Sequence, residues 1–173
     1  MIKKLRIVFS GIENSGKSTL SRAVASELGF EFIEEQCRYN KAVIEGVETT
    51  DTLIEINSLQ ESMALESMIG SVNGVVCDTS SMELRMWSRV KFGCDIECPI
   101  EVPIDLNFLC QTLEDFEEDP LRQMPDYADR VEHEIEFLEF LKSEDIRVKI
   151  LKPSTLEERK KYVITQIKKL ING

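Results

Sequence analysis

The sequence predicts an α/β fold in which helices cover a parallel β-sheet. Short apolar, β-rich segments alternate with longer segments of helical periodicity over all 173 residues. A glycine-rich loop joins the first apolar segment to the first helical one, and acidic residues stand at the ends of the next two apolar segments. Because open parallel sheets bind ligands at the carboxyl edge of their strands, we expect one domain, residues 1–173, with a site at that edge.

Composition and charge exclude several classes of protein. The formal net charge of −11 argues against a surface for nucleic acids or anionic membranes. No apolar run approaches the ~20 residues of a membrane-spanning helix, and the amino terminus continues straight into the first strand, unlike a secretory signal. Five scattered cysteines, an odd number, favour reduced thiols over a disulfide framework. These observations predict a cytoplasmic protein without nucleic-acid or membrane partners.

The first loop carries the strongest motif in the chain. It has the sequence Gly11-Ile-Glu-Asn-Ser-Gly16-Lys17-Ser18-Thr19 and fits the phosphate-binding P-loop pattern G-x-x-x-x-G-K-[ST]. A predicted strand, Leu5–Ser10, enters it, and a predicted helix, Lys17–Leu28, leaves it and stops at Gly29. A chance match of the four fixed positions is expected in fewer than about one chain in a hundred of this length. Nucleotide binding is therefore favoured over an accidental glycine turn.

Each residue type in the loop suits phosphate chemistry. Gly11 and Gly16 permit backbone angles and close approaches that a β-carbon would obstruct. The amides from Glu13 to Ser18 form an anion nest at the positive end of the helix. Lys17 reaches the β- and γ-phosphates, and the Ser18 hydroxyl is a Mg²⁺ ligand. The predicted nucleotide-binding residues are Gly11, Glu13, Asn14, Ser15, Gly16, Lys17, Ser18 and Thr19.

The next two strands end in acidic residues at the same edge. Predicted strand two, Gly29–Ile33, leads into a charged cluster that includes Glu35 and Arg38. A solvated loop is the alternative interpretation of that cluster. Strand three, Gly74–Asp78, ends in a carboxylate that is placed to hold Mg²⁺ directly or through water. A helix cap is the alternative for Asp78, although three hydroxyl residues follow it and can serve as caps.

The helices between these strands are predicted from apolar spacing. The first begins at a cap formed by Thr50 or Asp51 and ends near Ile69. Its expected apolar positions are Ile56, Leu59, Met63, Leu65, Met68 and Ile69. Spacing alone places the interrupting Gln60 on the surface. A second helix covers 81–92 and carries Trp87, which by itself favours a core position over a ligand platform.

The second half of the chain continues the alternation. We expect a fourth strand over Ile104–Cys110, an acidic mobile loop or short helix over Thr112–Pro125, and a fifth strand over Ile146–Leu151. The helix over Asp126–Ser143 is expected to bury Val131, Ile135, Leu138 and Leu141, with His133 exposed. A capping box over Ser154–Glu157 opens a final helix. Its expected inward-facing residues are Val163, Ile167 and Leu170.

Together these motifs resemble the P-loop kinase domain of NadR-type ribosylnicotinamide kinases and the AAA-labelled ATPase/kinase group around them. The resemblance covers nearly the whole chain. Its elements are the P-loop, Glu35-Gln-Cys-Arg38, Gln60, Asp78-Thr-Ser80, Trp87-Ser88, Phe92-Gly93, Asp105 and Arg122. Two departures stand out: Ser80 replaces the second aspartate of the family's D-T-D motif, and Pro120 replaces the glycine of its D-G-x-R lid.

The resemblance implies a P-loop NTPase three-layer sandwich with strand order 2-3-1-4-5 and a short lid. It also implies ATP-dependent phosphoryl transfer to a nucleoside-like hydroxyl, with nicotinamide riboside as the expected acceptor, and with ATP and Mg²⁺ bound. In this interpretation Lys17 holds the phosphates and Ser18 and Asp78 hold Mg²⁺. Either Glu35 or Asp78 activates the hydroxyl. The expected lid and acceptor residues are Arg122, Arg130, Arg38, Gln60 and Trp87.

Two other functions remain open at the level of sequence. One is a nucleoside or nucleoside-monophosphate kinase of different specificity. The other is a nucleotide-dependent switch or ATPase binding module. The chain has no N/T-K-x-D guanine-recognition motif, and the arginines of the lid region suit transfer to an acceptor better than slow hydrolysis.

Overall fold

The predicted sheet order is confirmed. The structure, a computed structural model, describes residues 4–119, 121–122 and 124–172. Its five strands are all parallel and lie in the order β2-β3-β1-β4-β5. The strands are β1 Leu5–Ser10, β2 Glu31–Ile33, β3 Gly74–Asp78, β4 Leu106–Cys110 and β5 Lys149–Leu151. Strands β1 and β3 have their predicted bounds, and the other three begin later than the sequence predicts.

Helices cover both faces of the sheet. They are α1 Lys17–Leu28, a 3₁₀ helix Gln36–Tyr39, α2 Lys41–Ile44, α3 Thr50–Gly70, α4 Ser81–Phe92, α5 Tyr127–Ser143 and α6 Leu156–Asn172. One core cluster packs α1 and α6 against one face, and two others pack α3, α4 and α5 against the opposite face. Among the described residues no helix is long and apolar enough to cross a membrane.

The central strand β1 is buried along its whole length. Its side chains alternate between the two faces, so that Phe9 joins the α1/α6 core and Val8 joins the α3 core. On the α3 side, the fully buried Arg6 guanidinium donates to Glu61 at 2.6 and 2.8 Å and to the Val102 carbonyl at 2.7 Å. Removing one member of such a buried pair typically costs about 3–5 kcal/mol, so the contact fixes α3 against the sheet.

Helix α3 differs from its prediction in cap and in buried face. Thr49 caps it, rather than Thr50 or Asp51. Polar side chains, among them Gln60, lie on the buried face, whereas Leu59 and Ile69 are 52% and 72% exposed. The physical reason is that each buried polar group has a specific partner: Asn57 donates to the Pro99 carbonyl, Gln60 to Thr79, and Glu61 accepts from Arg6. The prediction that Gln60 lies on the surface is wrong.

Helices α5 and α6 also differ from the apolar pattern. On α5, Ile135 is 54% exposed, whereas Arg130 and Glu134 are buried. These two charged residues hydrogen bond with the chain just after β4, which rotates the helix away from the face predicted from spacing. The cap of α6 is Thr155 rather than Ser154; its Oγ1 accepts from the Glu158 amide. Inward-facing Val163 and Ile167 are confirmed, but Leu170 is 39% exposed.

Asp105 lies at the edge of the sheet opposite the phosphate loop. It precedes β4, and one of its carboxylate oxygens accepts from the backbone amide of Arg6 at 2.9 Å. Its backbone amide donates to the Arg6 carbonyl at 2.9 Å. The resemblance placed an aspartate within strand four, but here the residue joins β1 to the start of β4 and does not approach the carboxyl edge.

Candidate active site

A cavity of about 510 Å³ opens at the carboxyl edge of the sheet. The P-loop forms its floor, the chain after β2 forms one side, and α4, α5 and the loop after β4 form the others. All eight predicted nucleotide-binding residues line it, together with Glu35, Arg38, Trp87 and Arg122. The topology therefore brings separate sequence motifs into one site.

The backbone of the P-loop has conformations that require glycine at two positions. At Gly11, φ is 145°, and a β-carbon would lie 2.6 Å from the Cys110 carbonyl oxygen. Gly16 caps α1 in the left-handed conformation with φ 73°. From the far side, the buried Arg159 of α6 donates to the Ser15 carbonyl at 2.7 Å and to the Gln111 carbonyl at 3.0 Å. This brace was not found from sequence, because nothing in the spacing of α6 marks an arginine that points inward.

Lys17 is buried and carries its charge among acids. Burial disfavours the ammonium ion, but the carboxylates of Glu35, Asp78 and Glu83 outweigh that effect and raise the pKa of Lys17. The side chain therefore stays protonated over the physiological range. A fixed, desolvated positive charge at the start of α1 is what a β/γ-phosphate group needs.

Asp78 has a carboxylate oxygen that needs a partner. The residue is 2% exposed, and burial raises its pKa, against the opposing effects of the Lys17 charge and the nearby Ser18 hydroxyl. Within the described part of the chain its Oδ1 accepts no hydrogen bond. An orphaned buried carboxylate oxygen beside a serine hydroxyl fits Mg²⁺, which takes oxygen ligands and is usually held by one or two side chains plus nucleotide phosphates.

Glu35 and Arg38 form an ion pair at the end of β2. Glu35 caps the 3₁₀ helix, and its Oε2 lies 3.3 Å from Nε of Arg38. The Arg38 guanidinium also contacts Asp119 of the loop after β4 at 2.9 Å. Arg38 therefore fixes Glu35 on the cavity wall and links it to the opposite side of the site.

Helix α4 presents one face to the cavity. The residues on it, spaced as one helical stripe, are Glu83, Met86, Trp87, Val90 and Lys91. Trp87 lines the cavity and also packs against the cluster around Leu53, so its packing position is at the same time a position on the cavity wall. Lys91 forms an ion pair with the buried Glu48. The wall is thus apolar in its middle, with the acid Glu83 at the end beside the P-loop and the paired cation Lys91 at the outer end.

Glu83 is a site residue that the sequence reasoning missed. Its Oε2 accepts from the amide and hydroxyl of Ser80 at 2.9 and 2.7 Å, and its Oε1 accepts from the Gly11 amide at 3.2 Å. The Ser80-x-x-Glu83 capping pattern was the available signal. Ser80 therefore caps α4, and the acid on the cavity wall comes from three residues further along the chain.

The loop after β4 is attached to the P-loop through Asn14. The Asn14 side-chain amide donates to the Leu113 and Asp115 carbonyls at 3.1 and 2.7 Å. Its Oδ1 accepts from Arg122 at 3.1 Å and from the Glu117 amide at 3.2 Å. Arg122 also donates to the Glu117 carbonyl. Arg122 thus lies on the cavity wall beside the P-loop; the Pro120 substitution lies outside the described residues.

Three predicted side chains are placed differently from expectation. Arg130 is fully buried and donates to the Thr112 hydroxyl and to four loop carbonyls, so it anchors the base of the loop and does not face an acceptor. Gln60 donates to Thr79 beneath the cavity and does not line it. His133, expected to be exposed, lines the cavity and is 21% exposed, because α5 is rotated from its predicted face.

Solved structures share this fold over nearly the whole chain. A deoxyadenosine kinase from M. mycoides with bound dATP matches with a TM-score of 0.67 at 13% identity, over 95% of this chain and 100% of that one. A NadR protein in complex with NR matches with a TM-score of 0.77 at 16% identity, over 98% of this chain, which spans 52% of that one. A thymidylate kinase from Ehrlichia chaffeensis matches with a TM-score of 0.63 at 17% identity, over 95% and 98%.

Sequence comparison gives the family. No curated protein matches the chain at a significant level. The family model described as "AAA domain" matches residues 6–159, from the second residue of β1 to the arginine that braces the P-loop. Since this match covers most of the chain, the protein belongs to the AAA domain family.

Proposed function

We propose that the protein transfers the γ-phosphoryl group of ATP to a hydroxyl of a nucleoside-like small molecule. The observation that carries this proposal is a single cavity that combines a P-loop, a carboxylate at the end of β2 and an aromatic wall on α4. A nucleotide alone would need only the first of these. The carboxylate and the wall suit a second, hydroxyl-bearing substrate.

The phosphate end of the cavity neutralises charge. The loop amides and the Lys17 ammonium bind the β- and γ-phosphates, and the buried position of Lys17 strengthens its attraction for them. Ser18 and Asp78 are the residues that would hold Mg²⁺, which when bound neutralises charge on the phosphate oxygens. Arg122, which now contacts Asn14, is the residue that would move onto the transferred group.

Glu35 is the proposed base. Asp78 lies near Ser18 and Lys17 and is the residue that would hold the metal, whereas Glu35 lines the cavity just after β2 and is paired with Arg38. The acceptor hydroxyl passes its proton to the Glu35 carboxylate while its oxygen bonds to the γ-phosphorus. The bond between that phosphorus and the bridging oxygen breaks, and ADP leaves.

Nicotinamide riboside is the acceptor that the site favours. Its ring is a pyridinium cation, and an indole face such as that of Trp87 attracts cations. The cations around the acceptor end are already paired: Arg38 with Glu35 and Asp119, and Lys91 with Glu48. A monophosphate acceptor would have to compete with those carboxylates. The NadR structure that shares this fold contains NR, which agrees with the proposal.

The experiment is an acceptor panel with purified protein. ADP release and product mass are measured with ATP, Mg²⁺ and each of nicotinamide riboside, adenosine, cytidine, thymidine and thymidine monophosphate. We expect ADP only when an acceptor is present, and the highest kcat/KM for nicotinamide riboside. A higher kcat/KM for another acceptor would make that acceptor the proposed substrate in place of nicotinamide riboside. ADP formation that is independent of every acceptor would support a nucleotide-dependent switch and remove the kinase proposal.

A further inference from the structure

The turn between β3 and α4 contains a strained residue. Thr79 has φ 75° although its side chain is β-branched. A β-branched residue with positive φ is a genuine outlier, and such residues persist only where their surroundings hold them. Thr79 is 3% exposed, and its amide donates to the Phe9 carbonyl of β1 at 2.9 Å. The strain is therefore located inside the protein, directly after the carboxylate assigned to Mg²⁺.

Gln60 holds this strained residue from the neighbouring helix. Its side-chain amide donates to the Thr79 carbonyl at 3.2 Å and to the Thr79 hydroxyl at 3.1 Å. Gln60 is itself 3% exposed, on the face of α3 that packs beneath the site. Both donor contacts go to one residue, so the amide acts as a clamp on the turn and is not directed at the cavity.

The clamped turn has a functional residue on each side. Before it, Asp78 interacts with Ser18 and Lys17. After it, Ser80 caps α4 and leads to Glu83, which contacts the P-loop at Gly11. The backbone angle at Thr79 therefore sets the direction of the Asp78 carboxylate relative to the start of α4.

We propose that Gln60 is a positioning residue that acts through Thr79 to aim the Asp78 carboxylate at the Ser18 hydroxyl. The inference rests on the proposed function in one respect, namely that Asp78 and Ser18 hold Mg²⁺. Partners one shell beyond a metal ligand commonly control its orientation, and this turn gives Gln60 such a position. Gln60 would thus tune metal binding without contacting nucleotide or acceptor.

The test compares two amides on the same buried face of α3. Gln60→Met keeps the length of the side chain and removes both contacts with Thr79. Asn57→Leu is the matched control, because Asn57 is also buried and its amide donates to the Pro99 carbonyl, away from the turn. For each variant, Mn²⁺ affinity of the ADP complex is measured by electron paramagnetic resonance, alongside the melting temperature and the Mg²⁺ dependence of any kinase activity.

We expect Gln60→Met to weaken Mn²⁺ binding about tenfold or more, as loss of an outer-shell partner does. Asn57→Leu should lower the melting temperature by a similar amount and leave Mn²⁺ affinity unchanged. Thr79→Gly tolerates positive φ without a clamp, so adding it to Gln60→Met should restore part of the Mn²⁺ affinity. If Gln60→Met does not fold, Gln60→Leu, which also removes the donor and adds no charge, takes its place.

Three results would overturn the proposal. They are unchanged Mn²⁺ affinity in Gln60→Met, an equal loss in the Asn57→Leu control, and a rise in the acceptor KM alone, which would make Gln60 an acceptor contact. The Mn²⁺ measurement uses ADP and no acceptor, so it still decides the role of Gln60 if the protein phosphorylates none of the acceptors tested. Failure of the kinase proposal and failure of this inference are thereby distinguishable.

Discussion

The two ends of the cavity are built in different ways. At the end formed by the P-loop, which we propose binds phosphate (the phosphate end), the path of the backbone forms the site: Gly11 and Gly16 have positive φ, and Lys17 and Asp78 are almost completely buried. At the acceptor end, side chains from four separate segments meet, and ion pairs such as those of Arg38 and Lys91 hold them. Because the phosphate end depends on the path of the backbone, few substitutions are compatible with it. The acceptor end, by contrast, can be altered one side chain at a time.

This difference predicts that the phosphate end determines whether phosphoryl transfer occurs, and that the acceptor end determines which acceptor is used. A substitution at the phosphate end should abolish phosphoryl transfer to every acceptor, because it removes a charge or a metal-ligating group that the reaction requires whatever the acceptor. A change at the acceptor end should redistribute activity among acceptors. The following predictions test that division, beginning with the large effects expected at the phosphate end.

Lys17→Ala should lower kcat about 10²–10³-fold or more for every acceptor, because it removes a preorganised charge from a buried phosphate site. Far-UV circular dichroism and the melting temperature should remain close to those of the parent. The exposed Lys168 of α6 provides the control, and Lys168→Ala should leave kcat unchanged. If Lys17→Ala keeps full activity, the P-loop is not part of the mechanism.

Glu35→Gln and Asp78→Asn should both lower kcat, by about 10²–10⁴-fold for loss of a general base, but they should respond differently to metal. High Mg²⁺ concentration should partly restore the rate of Asp78→Asn, because that variant loses a metal ligand. It should not restore the rate of Glu35→Gln, because that variant loses a proton acceptor. Steady-state rates over a Mg²⁺ series measure this, and the opposite pattern would exchange the two roles.

Arg122→Ala should lower kcat about tenfold to a hundredfold and change the Kd of ATP much less, because a lid arginine acts on charge that develops in the transition state. Equilibrium binding of an ATP analogue, measured beside kcat, separates the two effects. The exposed Arg147 offers the control variant Arg147→Ala. A change confined to the ATP Kd would make Arg122 a ground-state contact.

Trp87→Leu should lower kcat/KM for nicotinamide riboside more than for any neutral nucleoside. A cation over an indole gains on the order of 0.5–2 kcal/mol, which corresponds to about 2–30-fold in kcat/KM. The measurement is the acceptor panel repeated with the variant, after its melting temperature shows that it is folded. Equal losses for all acceptors would assign Trp87 to packing and would remove the stacking argument.

The smallest effect concerns the ion pairs that hold the outer face of α4. Arg85 contacts Asp95 at 2.5 Å, and this contact holds the pKa of Asp95 well below its usual value. A carboxyl whose pKa is depressed by folding stabilises the protein above its unfolded pKa, and this stability is lost as pH falls toward the folded value. Asp95→Asn should therefore lower the free energy of unfolding at pH 7 by about 0.5–1 kcal/mol, given partial exposure.

That difference between Asp95→Asn and the parent should shrink as the pH falls below about 4, the ordinary range of an aspartate. Urea unfolding at pH 7 and at successively lower pH measures it. A difference that stays constant with pH would show that Asp95 acts through packing rather than charge.

The phosphate end was predictable from sequence because it is local. The P-loop, the strand before it and the helix after it are contiguous, so one motif fixes Gly11, Lys17 and Ser18 together. Strand β3 and its terminal Asp78 were predicted for the same reason: an apolar run that ends in an acid is visible without knowledge of the fold. The strand order came instead from family resemblance, since periodicity carries no information about which strands are neighbours.

Tertiary contacts decided the rest. Gln60 and Arg130 were expected at the acceptor, but Gln60 clamps a distant turn and Arg130 satisfies the carbonyls of a loop. The apolar spacing predicted that Ile135 lies on the buried face of α5. In the structure Glu134 and Arg130 occupy the buried face instead, because they have hydrogen-bond partners there. Such polar contacts are made across long sequence separations, so no window of residues along the chain contains them.

The cysteines have a practical consequence for measuring motion at this site. Cys94, just beyond the end of α4, is exposed, whereas the other four thiols are buried. Burial raises the pKa of Cys98 to about 11 and that of Cys110 to about 12, and it also raises the pKa values of Cys37 and Cys77. Because thiolates are the reactive form, a maleimide at neutral pH should modify Cys94 first in the unaltered protein. A single fluorophore there would report on the helix that carries Trp87, without any prior removal of cysteines.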